Sequence, residues 1–262
     1  MEQTKNIYPE LIPRLEEEAP FALATILETN SPAEKGFPRR MHFSSQRSGR
    51  KRGSARKGMI WAVVLAAGES RRMGGPKLLL PFGSSTIIET VIRRLLASRV
   101  DKLLVVLGAS ARPIREKIKE FPVKTVLNRR FHRGMLSSVQ CGIAALPASA
   151  EAAVIALADQ PAISPEVLNS LISAYSRKRK RIVVPVYRGE RGHPLLLDLN
   201  FRREIMALDP AIGLRQLLER HPDDVFEVRI SSPAVLHDID NADDYLSALG
   251  RTGRKKKGGF NV

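Results

Sequence analysis

An apolar run from Ile60 to Ala67 constrains the fold of this chain more than any other stretch. The run is short, partly β-branched and stopped by Gly68, a pattern that favours a fully buried strand of a parallel sheet over a helix. The chain is therefore predicted to build its fold around this strand.

The loop after this strand is rich in glycine and in basic residues. Gly68, Gly74 and Gly75 can adopt positive φ and let the backbone approach a ligand, so that N–H groups point at phosphate oxygens. Positive charge around the loop comes from Arg71, Arg72 and Lys77. The loop lacks the Gly-Lys-Ser/Thr of a Walker A motif and also lacks G-x-G-x-x-G, so it is predicted to hold a nucleotide triphosphate in another way.

Strand-like and helix-like segments alternate after the loop. The predicted strands are 102–107, 123–127, 153–158, 182–186 and 225–230, and the predicted helices include 85–96, capped by Ser84 or Ser85, and 112–120. This alternation is typical of an α/β fold with a Rossmann-like, doubly wound and mostly parallel sheet. Ligands of such sheets bind outside the carboxyl ends of the strands, where the glycine-rich loop lies.

The composition allows one catalytic domain with additional polar sequence. With 262 residues, of which 43% are hydrophobic and 27% charged, the chain can form one sizeable core. A single cysteine, Cys141, excludes an internal disulfide and a cysteine-based metal cluster and suits a reducing cytoplasm. The first residues do not resemble a signal peptide, and Pro147 and Glu151 interrupt the longest apolar region, so neither secretion nor a membrane span is predicted.

The net charge of +16 is distributed unevenly. Residues 35–57 carry nine basic side chains and no acidic one, without apolar periodicity, which is typical of a linker. We predict an N-terminal fragment (1–34), a basic disordered linker (35–58), one α/β domain (59–250) and a basic disordered tail (251–262). Binding of nucleic acid by the basic runs is a weaker hypothesis, because they lack interleaved aromatic side chains on a folded face.

The loop sequence also resembles a known signature. It reproduces L-A-A-G-x-S-x-R-M-G-x-x-K of the MobA-like nucleotidyltransferases at every fixed position, and its alanine pair resembles the molybdenum cofactor cytidylyltransferase branch. The resemblance implies a fold of the nucleotide-diphospho-sugar transferase type, with Lys77 and Arg72 as catalytic residues. The nucleotide-binding residues that it implies in this loop are Leu65, Ala66, Ala67, Gly68, Ser70, Arg72, Gly74 and Lys77.

The segment from Asn128 to Gly142 follows a predicted strand and therefore lies where ligands bind. Within it, Gly134-Met135 and Ser137-Ser138 resemble the G-M-x-x-S element of the same branch. This resemblance implies that Gly134 and Met135 contact the acceptor substrate and that Ser137 and Ser138 contact the nucleotide. The two hydroxyls can equally cap the helix that begins there, and the two interpretations are compatible.

Asp159, within Leu-Ala-Asp-Gln-Pro, stands at the carboxyl end of an apolar strand. Mg²⁺ prefers hard oxygens and commonly binds one or two carboxylates plus substrate phosphates, so Asp159 is a predicted catalytic and Mg²⁺-binding residue. Asp238 and Asp240 share a face in an extended segment. The resemblance to the family's terminal D-I-D-x-x-x-D implies that Asp240 or Asp238 completes the metal site. Asn241-Ala242 replaces the usual Thr-Pro there, which puts the start of the next helix in doubt.

Gly192-His193-Pro194 resembles the G-H-P motif of the cytidylyltransferase relatives, in which this loop faces the acceptor substrate. A lone histidine in a turn is usually structural, but this one is flanked by Arg188 and Arg191. We therefore predict that Arg188, Arg191 and His193 hold a phosphorylated acceptor, and we assign His193 no role as a catalytic base.

A second resemblance is confined to the start of the chain. Residues 18–29 resemble the beginning of XdhC/CoxI-type accessory proteins, which assist insertion of molybdenum cofactor into xanthine dehydrogenase-like hydroxylases. A chance segment or an inactive remnant explains this fragment better than a function of its own does. The resemblance nevertheless points to the same cofactor as the loop.

These resemblances imply Mg²⁺-dependent transfer of CMP from CTP to the phosphate of molybdopterin, with release of pyrophosphate and a transient contact with a molybdenum hydroxylase. Alternatives stay open. The donor could be GTP, or the acceptor another phosphorylated small molecule. The chain could also be a non-catalytic accessory protein that delivers cofactor, or a basic nucleic-acid-binding protein.

Overall fold

The computed structural model describes residues 58–178 and 180–254. The predicted N-terminal fragment with its XdhC-like resemblance, the basic linker up to residue 57 and the tail beyond residue 254 lie outside the described residues. The predicted segment boundaries stay predictions.

Ten strands and seven α-helices alternate within the described residues. The strands are β1 (Met59–Ala66), β2 (Pro81–Phe82), β3 (Ser85–Thr86), β4 (Lys102–Leu107), β5 (Lys124–Leu127), β6 (Ala150–Leu157), β7 (Ile182–Tyr187), β8 (Glu190–Arg191), β9 (Leu195–Asp198) and β10 (Val225–Arg229). The helices are α1 (Ile87–Leu96), α2 (Ala111–Ile118), α3 (Met135–Ala145), α4 (Pro165–Lys178), α5 (Arg202–Met206), α6 (Arg215–Arg220) and α7 (Ala242–Arg254).

One mixed sheet of eight strands has the order β10-β7-β9-β6-β1-β4-β5, with β8 paired to β7. Four of its pairs are parallel: β1 with β4, β1 with β6, β4 with β5, and β7 with β10. The prediction of an α/β fold with a Rossmann-like, mostly parallel sheet is confirmed. The sequence does not predict β9, which runs antiparallel between β6 and β7, because three leucines followed by an aspartate identify neither a strand nor its direction.

The two faces of β1 pack into different clusters of apolar side chains. Ile60, Ala62 and Val64 belong to the cluster that includes side chains of α1, α2, α4 and α7. Trp61 and Val63 belong to the cluster that includes side chains of α3, α5 and α6. Burial on both faces explains why the sequence of this strand is continuously apolar.

The first helix begins at Ile87, and its cap lies beyond both predicted cap residues. Thr86 is its N-cap: the Thr86 hydroxyl accepts from the Glu89 N–H at 3.4 Å, and the Glu89 carboxylate accepts from the Thr86 N–H at 2.8 Å. This reciprocal capping box satisfies two N–H groups, which neither Ser84 nor Ser85 does here.

The last helix, α7, begins although the usual Thr-Pro is missing. The Asn241 side chain accepts a hydrogen bond from the Asp244 N–H at 3.0 Å, and the Asp244 carboxylate accepts one from the Asn241 N–H at 3.1 Å. Asparagine is a favourable N-cap, so the substitution keeps a helix start next to Asp240.

Among the described helices, none has both the length and the apolar content needed to cross a membrane. The cytoplasmic location stays a prediction.

Helix α3 lies unusually close to the central strand because of Gly142. A Cβ added at Gly142 would lie 2.4 Å from Val63 Cγ1 and 3.0 Å from Val106 Cγ2. The glycine therefore lets α3 pack directly on β1 and β4, below the carboxyl edge of the sheet.

We expect Gly142→Ala to lower the free energy of unfolding by about 1–3 kcal/mol, because the added methyl group overpacks this contact. Gly250→Ala in α7 is the matched control. Gly250 is exposed, a Cβ there meets nothing within 4 Å, and alanine should stabilise the helix by about 1 kcal/mol. Urea unfolding of both variants measures the difference. A Gly142→Ala variant as stable as the parent would contradict the close-packing argument.

Candidate active site

A cleft of about 550 Å³ opens at the carboxyl ends of β1 and β6. We call it the first cleft. The predicted site residues that line it are Leu65, Ala66, Ala67, Gly68, Ser70, Arg72, Lys77, Gly134, Met135, Ser138, Asp159, Asp238 and Asp240. Residues from four separate parts of the sequence therefore meet in one place.

The glycine-rich loop is shaped by different residues from those expected. Of its three glycines only Gly74 has positive φ, at 66°, and Ser70 takes the other left-handed position, with φ 54°. Gly74 donates its N–H to the Arg71 carbonyl and is not among the residues that line the first cleft. The expectation of positive φ at Gly68 and Gly75 was wrong.

Buried side chains anchor the loop between its charged residues. Met73 is 6% exposed and Leu78 is 5% exposed, and both belong to the core cluster on one side of the sheet. The Ser70 hydroxyl accepts a hydrogen bond from the Lys77 N–H at 3.3 Å, which closes the loop on itself. The backbone of Lys77 is thus held in place, while its side chain extends toward the cleft.

Lys77 contacts two carboxylates at once. Its Nζ lies 2.7 Å from Asp159 Oδ2 and 3.0 Å from Asp240 Oδ1. Arg72 binds the second oxygen of Asp240, with Nη1 2.8 Å from Oδ2. The lysine side chain is only 12% exposed, whereas that of Arg72 is 72% exposed, so the lysine contacts are the better shielded from water.

Backbone hydrogen bonds bring the three carboxylates together. The Ala158 N–H donates to the Leu65 carbonyl at 3.2 Å, and the Ile239 N–H donates to the Asp159 carbonyl at 3.0 Å. Because Ile239 is buried, Asp238 and Asp240 on either side of it face the cleft. One carboxylate oxygen from each of the three aspartates lies within 4.8 Å of the others, a set of hard ligands that suits a divalent cation such as Mg²⁺.

The ionisation of these groups reflects their mutual contacts. Burial lowers the pKa of Lys77, but the attraction of Asp159 and Asp240 outweighs it, so its pKa lies above the ordinary value and the amine is protonated. Burial raises the pKa of Asp159, and the nearby Asp238 charge adds to this effect. For Asp240, burial is outweighed by Lys77 and Arg72, which hold its pKa below the ordinary value.

The segment between β5 and α3 contributes one of its two serines to the cleft. Asn128, itself buried, donates to both hydroxyls, at 2.9 Å for Ser137 and 3.0 Å for Ser138. The Ser137 hydroxyl donates back to the Arg130 and Gly134 carbonyls and does not line the first cleft, whereas Ser138 does. Ser137 therefore serves the helix start, and Ser138 stays a candidate for nucleotide contact.

Two residues of this segment line the first cleft without having been singled out from the sequence. Phe131 and His132 form a 3-10 turn with Arg133 and meet edge to face, with ring centroids 6.0 Å apart. Their place directly after a parallel strand was the signal that could have identified them.

A second cleft, of about 790 Å³, adjoins the first and shares Met135 with it. Arg191 and His193 line it, together with apolar side chains of α3, β7 and β9. Arg188 lines neither cleft: it sits at the turn between β7 and β8, with its guanidinium 5.3 Å from the Tyr187 ring centroid. The structure thus separates the two arginines that the sequence grouped together.

His193 is held by its backbone and is partly buried. Its N–H donates to the Val235 carbonyl at 2.8 Å, and a Cβ added at the preceding Gly192 would lie 2.1 Å from that same oxygen. Burial lowers the pKa of His193, against an opposing effect of Asp238. The imidazole is therefore neutral near pH 7 and can donate or accept a hydrogen bond, but it does not supply the positive charge expected for a phosphate contact.

Substitution of Gly68 tests whether this loop glycine is needed for the fold or for binding a ligand. A Cβ there would meet nothing within 4 Å and would project into open space at the edge of the first cleft. We expect Gly68→Ala to leave the free energy of unfolding within about 0.5 kcal/mol of the parent. We expect it to weaken nucleoside triphosphate binding about tenfold, or about 1.4 kcal/mol, measured by calorimetric titration. Unchanged affinity would show that no ligand approaches this position.

Comparison with known sequences reveals several relatives. Nicotine blue oxidoreductase of Paenarthrobacter nicotinovorans is 29% identical over 199 residues, which cover 72% of this chain and 96% of that protein. Molybdenum cofactor cytidylyltransferase of Escherichia coli (strain K12) is 25% identical over 193 residues, covering 73% and 96%. A probable molybdenum cofactor guanylyltransferase of Natranaerobius thermophilus is 32% identical over 130 residues, covering 50% and 62%.

Solved structures and a family profile agree on the fold and class. A nucleotidyl transferase from a Methanothermobacter species has a TM-score of 0.65 at 28% identity, covering 75% of this chain and 99% of that one. Rv0371c of Mycobacterium tuberculosis in complex with manganese has a TM-score of 0.64 at 26% identity, covering 74% and 100%. The profile of the MobA-like NTP transferase domain matches residues 62–225. The chain therefore belongs to the MobA-like NTP transferase family and is a nucleotidyltransferase.

Proposed function

We propose that this nucleotidyltransferase transfers CMP from CTP to the phosphate of molybdopterin, depends on Mg²⁺ and releases pyrophosphate. The observation that carries the proposal is the contact of Lys77 with Asp159 and Asp240 beside the glycine-rich loop. Three carboxylates and a shielded ammonium suit a reaction that aligns two polyanions and stabilises growing charge on phosphate oxygens.

In the proposed reaction, a phosphate oxygen of molybdopterin attacks the α-phosphorus of CTP. A new P–O bond forms, the bond from that phosphorus to the bridging oxygen breaks, and pyrophosphate leaves with the electron pair. No covalent enzyme intermediate is required. Bound to Asp159, Asp238 and Asp240, Mg²⁺ would offset phosphate charge, while Lys77, Arg72 and the loop amides would hold the triphosphate for in-line attack.

The second cleft supports a role in binding the acceptor. Because it shares Met135 with the first cleft, an acceptor bound there would lie next to a nucleotide. Apolar walls that include Val184 and Leu195 suit a flat heterocycle, and Arg191 suits an anionic group on it. We propose that His193 contributes a neutral hydrogen bond, in keeping with its lowered pKa.

The proposal also specifies cytosine as the base of the donor nucleotide. The Ala66-Ala67 pair and the Escherichia coli relative named as a cytidylyltransferase support CTP, but relatives named as probable guanylyltransferases occur as well. The relative named as an oxidoreductase raises a second possibility for the same fold. The carboxylate cluster favours nucleotidyl transfer, because hydride transfer requires no divalent cation at this position.

The remaining alternatives concern partners. A transient contact with a molybdenum hydroxylase that receives the product is part of the proposal. A purely accessory protein would instead capture that hydroxylase equally well after Asp159→Ala and would show no turnover. Nucleic-acid binding would depend on the two basic runs, and deletion of residues 35–57 together with 251–262 would abolish it.

We expect Asp159→Asn and Lys77→Ala each to lower Mg²⁺-dependent pyrophosphate release by at least about 100-fold, because each removes a group that would stabilise the transition state. The assay combines reduced molybdopterin with each of the four triphosphates in turn and detects the dinucleotide by mass. Circular dichroism verifies that the variants are folded.

A dinucleotide formed with GTP in preference to CTP would reverse the choice of donor. Full activity in both variants would contradict the site itself.

For the acceptor, we expect Arg191→Ala to raise the KM for molybdopterin about tenfold without changing the KM for CTP, because a charge-assisted contact is lost. Arg188→Ala removes the same charge from the same hairpin but from outside both clefts, so a smaller rise is expected. Steady-state kinetics on the two variants compares them directly. A larger effect at Arg188 would restore the sequence-based assignment and exclude the second cleft as the acceptor site.

A further inference from the structure

The ammonium of Lys77 contacts two of the three carboxylates that could hold a divalent cation. Its Nζ contacts Asp159 Oδ2 at 2.7 Å and Asp240 Oδ1 at 3.0 Å, and both aspartates belong to the three-carboxylate cluster. The lysine side chain is 12% exposed, so water shields its charge poorly. A cation that uses these oxygens therefore competes directly with the protein's own lysine.

The backbone of Lys77 is anchored, so any movement of its ammonium comes from the side chain. The Lys77 N–H is bonded to the Ser70 hydroxyl, and the next residue, Leu78, is buried in the core. The four-carbon stem of a lysine can swing while its backbone stays fixed. Oxygens of a triphosphate in the first cleft would offer the ammonium another anionic partner close by.

We propose that Lys77 occupies the metal position when no nucleotide is bound, and that a triphosphate opens this position by drawing the ammonium onto its phosphate oxygens. The proposal rests on the proposed nucleotidyl-transfer site. In this proposal Lys77 neutralises the carboxylates in the nucleotide-free protein and binds phosphate oxygens once a triphosphate is present. Metal and nucleotide then bind cooperatively, and each raises the affinity of the other by the same factor.

Arg72 does not compete with a metal ion for the carboxylates in the way that Lys77 does. It contacts only Asp240, and its side chain is 72% exposed, so its charge is screened and its contact leaves Asp159 free. Arg71 is a closer control for charge alone. It lies in the same loop, is 80% exposed and pairs with Glu69 rather than with the cluster.

The test is titration of the nucleotide-free, full-length protein with Mn²⁺, followed by electron paramagnetic resonance of the free ion. We expect Lys77→Met to bind Mn²⁺ about tenfold more tightly than the parent, because the competing ammonium is gone, and Arg71→Met to change the affinity less than about twofold. A non-hydrolysable CTP analogue should tighten Mn²⁺ binding strongly in the parent and only weakly in Lys77→Met. The variant thus gains metal affinity while it loses turnover.

Several outcomes would overturn the inference. If Lys77 only holds the carboxylates in position, Lys77→Met will bind Mn²⁺ more weakly or equally well. Equal tightening in Lys77→Met and Arg71→Met would mean that overall charge, and not occupation of the site, controls the affinity. Lys77→Gln, which keeps a polar side chain, guards against a misfolded Met variant and should also bind Mn²⁺ more tightly.

Failure of the proposed function has a different signature. In that case neither the parent nor any variant would bind Mn²⁺, with or without the CTP analogue, and the inference would be lost with it. Nucleotide-dependent turnover in the parent, combined with no tightening in Lys77→Met, would overturn the inference alone.

Discussion

The parallel pairing of β1 with both β4 and β6 is the constraint on which the rest of the structure depends. The register places Leu65 beside Val106 on one side and beside Leu157 on the other, so the three strands end at nearly the same level. Loops that leave these strands therefore emerge at one edge of the sheet. This alignment brings Asp159 to the glycine-rich loop and, through the Ile239 hydrogen bond, brings Asp240 to Lys77, 163 positions away in sequence.

The three carboxylates at this edge of the sheet require positive charges close by. Three aspartates close together repel one another, and burial raises the pKa of Asp159 in addition. Lys77 and Arg72 supply the opposing charges from the loop after the neighbouring strand. The side chains that suit phosphate binding also oppose the charge of these carboxylates, so the stability of this edge and its chemistry depend on the same contacts.

Features that depend on local sequence were predictable. The continuous apolar run of β1, the alternation that follows it and the carboxylate after β6 all carry periodic or positional signals, and the structure has them where the sequence indicated. Features set by long-range contacts were not. The antiparallel insertion of β9 and the left-handed backbone of Ser70 carry no such signal. The cap of α1 is different: Thr86-x-x-Glu89 is a local capping-box pattern, and the prediction of Ser84 or Ser85 overlooked it. Arg188 and Arg191, three residues apart, point to different surroundings because a tight turn separates them.

The loop signature combines residues of two kinds, and this limits what a match to it can reveal. Met73 is buried in the core and does not line the first cleft, so its presence in the pattern reports the fold rather than the substrate.

The alanine pair is of the same kind. Ala66 is 1% exposed and Ala67 is 4% exposed, and they pack into opposite core clusters. A Cβ at Gly108 would lie 2.4 Å from the Ala67 carbonyl oxygen, so this backbone is fixed by packing. Alanine side chains buried in this way can influence a base only through the shape of the cleft floor. Phe131 and His132 also line the cleft, and under the proposed function they are better suited than the buried alanines to contact the base, so the choice between cytosine and guanine is best tested at these two residues.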